Sequence, residues 1–223
     1  MVGAILDLIF PPRCVGCGQS GALVCNVCWE SFIPLGPQVC PRCGSPQTGR
    51  CCRPASLHYR WARSAFLFEG PCREAIHALK YKRHFPLAEA LVSGMVTHLH
   101  LPDRDFEALI PTPLHPTRLA ERGFNQAAML AEALSAQWII PVLADALVRI
   151  RSTRSQVDLN PKDRLANVTG AFQGREEKVA GRSVLLVDDV YTTGATLGAC
   201  ASALREAGAR DVVAVTLARA HSQ

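Results

Sequence analysis

Residues 184–197, VLLVDDVYTTGATL, are the strongest indication of the fold of this chain. Four consecutive apolar residues, Val184 to Val187, predict a central parallel strand that is covered on both faces. Asp188 and Asp189 follow at once. Ligands of open parallel sheets bind at the carboxyl ends of the strands, so these acids are candidate ligand-binding residues.

A turn of small residues follows the acids: Thr192, Thr193, Gly194, Ala195 and Thr196. Small side chains leave backbone N–H groups and hydroxyls free to surround an anion, and the helix that begins here adds its positive N-terminal end. Carboxylates suit sugar hydroxyls, so acids beside such a turn predict a sugar-phosphate site. The alternative is a buried strand that ends in a solvated acidic turn, and the order of strand, acids, turn and helix disfavours it.

The motif VLLVDDVYTTGAT resembles the binding motif of type I phosphoribosyltransferases. The resemblance implies an α/β fold in which helices flank a parallel sheet. It also implies that Asp188 and Asp189 hold the ribose 2′- and 3′-hydroxyls, while residues 192–196 hold the 5′-phosphate. The ligand would be phosphoribosyl diphosphate with Mg²⁺, or ribose 5-phosphate.

Eight of the ten cysteines form a cluster near the start of the chain: Cys14, Cys17, Cys25, Cys28, Cys40, Cys43, Cys51 and Cys52. A CxxC turn places two thiolates on one side of a knuckle, as tetrahedral zinc requires. A disulfide framework would suit a secreted protein, and a redox CxxC would more often stand alone. We therefore predict structural Zn²⁺, with the first four cysteines as one site and the last four as a second. The last pair has no spacer, which leaves the completeness of the second site open.

These features divide the chain into two predicted parts. Residues 1–56 are predicted to be a zinc-ribbon-like module with a short N-terminal helix, and residues 57–223 a phosphoribosyltransferase-like domain, with residues 52–59 as a linker. The module holds few large apolar residues, so we expect the metal to supply most of its folding free energy. Cys72 and Cys200 lie outside the cluster and are predicted to be buried.

A basic helix end precedes the first predicted strand of the main sheet, residues 106–110. A strand or hairpin over 61–68 leads into this helix, whose apolar face is Ala75, Ile76 and Leu79 and whose end is rich in lysine and arginine. Such an end is either a solvated terminus, where cations are favourable, or a phosphate contact. We take three residues as candidates for DNA contact: Lys80, Lys82 and Arg83.

Two further basic segments are candidates to face the diphosphate. A proline-rich loop after residue 110 is followed by arginines, and a polar span, 149–172, is typical of a mobile loop. The pyrophosphate candidates are Lys80, Arg118, Arg122 and Arg154. A basic mobile loop could equally hold a DNA phosphate.

The segments PTPLHPTRLAERGFNQ and FEGPCREAIHALKYK, together with the cysteine cluster and VLLVDDVYTTGAT, resemble the ComF family over nearly the whole chain. The resemblance implies a zinc-ribbon module before a type I phosphoribosyltransferase core. It further implies a role in natural transformation, with incoming single-stranded DNA and a helicase-like partner. A related branch of the family is named for gluconate utilisation.

The net charge of +5 lies in the first hundred residues. Residues 1–60 carry five basic and two acidic side chains, residues 61–100 five and three, and residues 101–223 fourteen of each. This asymmetry is compatible with a nucleic-acid-binding face. The sequence shows no targeting segment and no run of about 20 apolar residues, so we expect a cytoplasmic protein without membrane insertion.

Two functions are consistent with these patterns. The first is a phosphoribosyltransferase-like protein that binds phosphoribosyl diphosphate or ribose 5-phosphate and acts in DNA uptake, with single-stranded DNA binding. The alternative is an active phosphoribosyltransferase of nucleotide or carbohydrate metabolism with an unidentified acceptor. No segment clearly predicts a nucleobase pocket.

Overall fold

The computed structural model describes residues 11–46, 57–81, 85–151 and 168–221. The elements in chain order are α1 (Asn26–Glu30), β1 (Ala62–Leu67), α2 (Gly70–Tyr81), α3 (Phe85–His98), β2 (Ala108–Pro111), α4 (Pro116–Arg122), α5 (Gln126–Trp138), β3 (Leu147–Arg149), β4 (Phe172–Gly174), α6 (Glu176–Val179), β5 (Ser183–Tyr191), α7 (Ala195–Glu206) and β6 (Asp211–Arg219).

Four strands form a parallel sheet in the order β1-β6-β5-β2. Alternate residues of β5 pack on opposite faces of this sheet: Leu185 and Val187 lie in the core with α2, α3 and α5, whereas Val184 and Leu186 lie in the core with α7. A strand covered on both faces must be apolar throughout, which explains the run from Val184 to Val187. The predicted parallel sheet flanked by helices is confirmed.

The prediction that residues 106–110 form the first strand of the main sheet was wrong. Strand β1 precedes it along the chain and pairs in parallel with β6. Its polar residue Ser64 is buried, and its hydroxyl lies 2.6 Å from the hydroxyl of Thr216. The strand or hairpin predicted over 61–68 is thus a strand of the main sheet, and this pairing satisfies its buried polar side chain.

The central strand also continues past the point at which charge enters the sequence. Strand β5 runs to Tyr191, because β6 is long enough to pair with Val190 and Tyr191. The two acids therefore lie on a strand within the sheet. The Thr/Gly turn begins only after the last residue of β5 that pairs with β6.

The cysteine-rich segment packs against the edge of this sheet. The N–H of Leu35 donates to the carbonyl of Ala65 at 2.8 Å, and the ring of Phe32 lies 5.1 Å from that of Phe66, edge to face. Val24, Cys28 and Phe32 belong to the same buried core as α2 and α3. Tertiary packing therefore stabilises this segment in addition to any metal. The expectation that metal supplies most of its folding free energy stays a prediction.

Two predicted loops are more ordered at their ends than expected. In the predicted linker, the side chains of Leu57 and Tyr59 are buried in the core that also contains α7. The predicted mobile loop over 149–172 begins and ends in a two-stranded antiparallel sheet, in which Arg149 pairs with Phe172. Residues 152–167 lie outside the described part of the chain.

Cys72 and Cys200 have no exposed surface, which confirms that both are buried. Among the helices described here, none combines the length and the apolar character needed to cross a lipid bilayer.

Candidate functional site

Two predicted site residues from distant parts of the chain meet at the carboxyl end of β5. The ammonium of Lys80, in the last turn of α2, lies 3.0 Å from Oδ2 of Asp189. The Asp189 side chain is 8% exposed, and Lys80 is 23% exposed. Side chains alternate along a strand, so Asp189 shares the face of Leu185 and Val187, against which α2 packs.

This ion pair fixes one oxygen of Asp189 at the end of the strand. Oδ2 of Asp189 is buried, and the ammonium of Lys80 lies against it at 3.0 Å. Lys80 thus offsets the negative charge of Asp189, beside the second acid, Asp188.

Asp188 points to the opposite face of the strand and has an unusual protonation equilibrium. Burial, followed by the charge of Asp189, raises the pKa of Asp188 to about 7. The backbone N–H of Asp189, which donates to Oδ1 of Asp188 at 2.9 Å, and the hydroxyl of Thr112 act against this rise in pKa. Asp188 can therefore exchange a proton near neutral pH.

The Thr/Gly turn leaves β5 and opens α7. Thr192 and Thr193 are exposed, whereas Gly194 and Ala195 are buried. The hydroxyl of Thr193 accepts from the N–H of Ala195 at 3.3 Å, and Gly194 takes a left-handed φ of +80° as the residue before the helix. The turn thus places threonine side chains at the N-terminal end of a twelve-residue helix.

The turn packs against a buried network of two tyrosines and an arginine, which was not predicted from the sequence. The hydroxyls of Tyr59 and Tyr191 are 2.8 Å apart, and the guanidinium of Arg219 lies 4.1 Å from the centre of the Tyr191 ring. A Cβ at Gly194 would collide with the Tyr191 hydroxyl. Tyr191 lies within the quoted motif, but no sequence signal marks Tyr59 as its partner.

The proline-rich loop after β2 reaches the same end of the sheet. The N–H of Thr112 donates to the carbonyl of Val187 at 2.9 Å, and the side-chain amide of Asn125 donates to the carbonyl of Thr112 at 2.9 Å. Arg122, at the end of α4, donates to Oε1 of Gln126 at 2.9 Å. Thr112 and Asn125 were not among the candidate residues, although both belong to the segment PTPLHPTRLAERGFNQ.

Arg149 interacts electrostatically with Asp188. Burial lowers the pKa of Arg149, which the charge of Asp188 partly restores and the positive charge of Arg118 lowers further. Arg118 itself is exposed. Arg149 is thus close enough to interact with both Asp188 and Arg118. Arg149 was not among the candidate site residues, although it begins the basic span 149–172.

Several predicted residues fall outside the described residues: the N-terminal helix, Cys51, Cys52, Lys82, Arg83 and Arg154.

The first predicted zinc site is assembled. The sulfur atoms of Cys14, Cys17, Cys25 and Cys28 all lie within 4.8 Å of one another. The Sγ atoms of Cys17 and Cys25 are 3.6 Å apart. Zn–S bonds of about 2.3 Å in a tetrahedron give sulfur–sulfur edges of about 3.8 Å, so four cysteines with this spacing fit structural zinc.

The protonation of one of these thiols also suits a metal ligand. Burial opposes ionisation of Cys14, but the backbone N–H groups of Cys25, Cys17 and Gly16 outweigh it and lower the pKa of Cys14 to about 6. The N–H of Cys25 lies 3.4 Å from the Cys14 sulfur. A thiolate is the form that binds zinc.

The second cysteine group is described only in part. The N–H of Gly44 donates to the carbonyl of Cys40 at 3.0 Å, and the N–H of Cys40 donates to the carbonyl of Ser45 at 2.8 Å, which forms a tight knuckle. The N–H of Ala62 donates to the carbonyl of Arg42 at 2.8 Å and fixes the knuckle to β1. The second site remains a prediction.

Known proteins are similar to this chain over most of its length. The DNA utilization protein YhgH of Shigella flexneri is 33% identical in an alignment of length 235, which covers 95% of this chain and 99% of that protein. The competence protein ComFC of Bacillus subtilis is 31% identical over 209 residues, which cover 88% of this chain and 84% of that protein. This chain belongs to the ComFC/YhgH family.

Two domain families match this ComFC/YhgH family member, one over its cysteine cluster and one over its proposed sugar-phosphate site. The double zinc ribbon domain family matches residues 5–57, and the phosphoribosyl transferase domain family matches residues 121–223. Among solved structures, the glutamine phosphoribosylpyrophosphate amidotransferase of B. subtilis, complexed with ADP and GMP, is 20% identical, with a TM-score of 0.38. That likeness covers 63% of this chain and 26% of the amidotransferase.

Proposed function

We propose that this protein binds phosphoribosyl diphosphate or ribose 5-phosphate at the carboxyl end of β5 and acts in the use of DNA. One observation carries the proposal: Lys80 and Asp189, two separately predicted site residues, meet 3.0 Å apart at the carboxyl end of β5, beside Asp188. A sugar hydroxyl would donate to the Asp189 carboxylate. Asp188 would hold the neighbouring hydroxyl.

The Thr/Gly turn would anchor the 5′-phosphate. Residues 192–196 combine exposed threonine hydroxyls with the start of α7, where the backbone N–H groups and the helix dipole favour an anion. The turn follows the two acids after only two residues, so one ribose phosphate can contact both. The acids and the Thr/Gly turn would thus form one continuous site for a single ligand.

Cations near this end of the sheet would face the diphosphate. Arg118 and Arg122 lie on α4, directly after the loop that reaches β5. Arg154 is a further candidate from the sequence. Mg²⁺ bound with phosphoribosyl diphosphate would neutralise part of the diphosphate charge and help to orient it. The protein would contribute carboxylates, hydroxyls and arginines around the ligand.

The proposed role in DNA use comes from the relatives and from charge. The relatives are named as DNA utilization and competence proteins. Ten basic and five acidic residues lie in the first hundred positions, which favours salt-sensitive binding of single-stranded DNA. Lys82 and Arg83 stay candidates for that contact. Lys80 is engaged with Asp189, which favours the sugar-phosphate role for this residue. A helicase-like partner is a further expectation from the family resemblance.

The second candidate is transfer of the phosphoribosyl group to a nitrogen nucleophile. The nucleophile would attack C1 of the ribose as the C1–oxygen bond to pyrophosphate breaks. A pKa of about 7 would suit Asp188 to accept a proton from the attacking nitrogen near neutral pH. The match to the phosphoribosyl transferase domain family supports this reading.

A titration of one protein sample with both ligand classes tests the proposal. Phosphoribosyl diphosphate with Mg²⁺, or ribose 5-phosphate, is expected to bind and to raise Tm. A single-stranded oligonucleotide is expected to bind more weakly as salt rises. Absence of sugar-phosphate binding would reject the ligand site, and absence of DNA binding would reject the nucleic-acid role. Release of pyrophosphate with a nitrogen acceptor would support the transferase.

A further inference from the structure

Tyr81 is an aromatic residue at the surface whose ring is not used by the core. It is the last residue of α2, directly after Lys80, and is 75% exposed. The guanidinium of Arg122 lies 5.6 Å from the centre of its ring. A ring held by an arginine but otherwise open to solvent offers a planar surface for stacking.

Contacts of neighbouring residues connect this ring to the end of the sheet that carries the proposed sugar-phosphate site. Its neighbour Lys80 contacts Asp189 at 3.0 Å. Its partner Arg122 is bound to Gln126 at the start of α5, where Asn125 holds the carbonyl of Thr112. Tyr81 is therefore connected to the carboxyl end of the sheet in two ways, along the chain through Lys80 and in space through Arg122.

The acids themselves restrict which sugar can occupy the site. Asp188 and Asp189 would accept hydrogen bonds from the free 2′- and 3′-hydroxyls of a ribose. A DNA nucleotide lacks the 2′-hydroxyl, and at the 5′ end of a strand its 3′-oxygen carries a phosphodiester. That phosphodiester would place a negative charge against two carboxylates, so a free ribonucleotide fits better than a DNA end.

We propose that Tyr81 is a stacking surface for the nucleobase of a free ribonucleoside 5′-phosphate whose ribose and phosphate occupy the proposed site. The inference rests on the proposed sugar-phosphate site and adds the base contact that the sequence did not reveal. Arg122 holds the ring in place, and its positive charge also favours a polarisable base. Stacking tolerates any base. This surface would therefore favour ligands that carry a nucleobase over ligands that lack one, without discriminating between bases.

Paired binding measurements test this contact. The probes are adenosine 5′-monophosphate and ribose 5-phosphate, titrated into the wild type, Tyr81→Leu and Tyr81→Phe. Leu keeps an apolar side chain without a ring, and Phe keeps the ring. Base–aromatic stacking of about 1–3 kcal/mol, at 1.4 kcal/mol per tenfold change, corresponds to a loss of about 5- to 150-fold in affinity.

The expected result is that Tyr81→Leu weakens adenosine 5′-monophosphate by that factor, leaves ribose 5-phosphate unchanged, and is rescued by Tyr81→Phe. Equal affinities of the wild type for the two probes, or equal losses for both in Tyr81→Leu, would overturn the stacking proposal while the sugar-phosphate site stands. Failure of the wild type to bind ribose 5-phosphate would overturn the site and the stacking proposal together.

A fluorescence arm distinguishes the source of the base. Stacking on Tyr81 would change the fluorescence of 2-aminopurine riboside 5′-monophosphate, and Tyr81→Leu would remove that change. A 5′-phosphorylated single-stranded oligonucleotide with 2-aminopurine at its first position is expected to show no change that depends on Tyr81. A Tyr81-dependent response to the oligonucleotide alone would contradict the assignment to a free ribonucleotide.

Discussion

The hydroxyl of Tyr59 lies 2.8 Å from the hydroxyl of Tyr191, and both side chains are buried. Tyr191 ends β5, directly before the Thr/Gly turn. Arg219 lies against the Tyr191 ring and donates to the carbonyl of Cys43 at 2.7 Å. A hydrogen-bonded network therefore connects the floor of the proposed phosphate site to the second cysteine knuckle.

Removing one hydroxyl of the tyrosine pair should destabilise the protein more than removing both. Tyr191→Phe leaves the buried hydroxyl of Tyr59 without its partner, which costs about 1–3 kcal/mol in the free energy of unfolding. Adding Tyr59→Phe removes the orphaned group and should recover part of that loss. Urea unfolding of the two single variants and the double variant measures this coupling. Strictly additive losses would show that the pair is not coupled.

Gly194→Ala should reduce both stability and sugar-phosphate binding. Its φ is +80°, and an added Cβ would collide with the Tyr191 hydroxyl. Gly181→Ala is the matched control, because Gly181 has a φ of +71° but nothing within 4 Å of an added Cβ. We expect the control to lose roughly 1–2 kcal/mol from backbone strain alone and to keep its ligand affinity. Equal losses in unfolding free energy would contradict the predicted collision.

Stability of the unliganded protein should depend on the protonation of Asp188. The raised pKa of Asp188, about 7, means that the folded state binds a proton more tightly than the unfolded chain. This residue therefore destabilises the fold increasingly as pH rises from about 4 to about 7. Asp188→Asn should remove that part of the pH dependence and stabilise the protein at pH 8. Unfolding curves from pH 4 to 8 test this, and parallel profiles for both proteins would contradict it.

Loss of zinc should destabilise the whole protein and not only its cysteine-rich segment. Cys14→Ser is expected to lower the zinc content by one ion per chain and to lower Tm of the whole protein, because Phe32 packs directly on Phe66 of the sheet. Cys72→Ala is the control, since Cys72 is buried in α2 and is outside the four-sulfur cluster. Native mass spectrometry counts the zinc. Unchanged zinc content in Cys14→Ser would reject this site.

Local patterns were sufficient to predict the centre of the fold. The apolar run before Asp188 and the small-residue turn at Gly194 each express a local requirement, either burial on both faces or space for an anion. The four cysteines from Cys14 to Cys28 likewise carry their own spacing. These features needed no knowledge of the rest of the chain.

Contacts between distant segments could not be predicted in this way. Strand β1 was not assigned to the main sheet, because Ser64 becomes acceptable in the core only when Thr216 lies beside it. The Lys80–Asp189 ion pair depends on how α2 packs against β5, and a basic helix end alone fits several roles. Tyr59 lies in a segment that resembles a linker, and only its buried partner Tyr191 reveals its place.

In the proposed function, the two acids of β5 form a site for a ribose phosphate. Isothermal titration of ribose 5-phosphate into the wild type, Asp188→Ala/Asp189→Ala and Asp145→Asn tests it most directly. Asp145 is a matched control, because it also pairs with a lysine, Lys178 at 2.6 Å, but lies at the surface. We predict binding to the wild type and to Asp145→Asn, and none to the double variant. Absence of binding to the wild type, or unchanged binding to the double variant, would contradict the account.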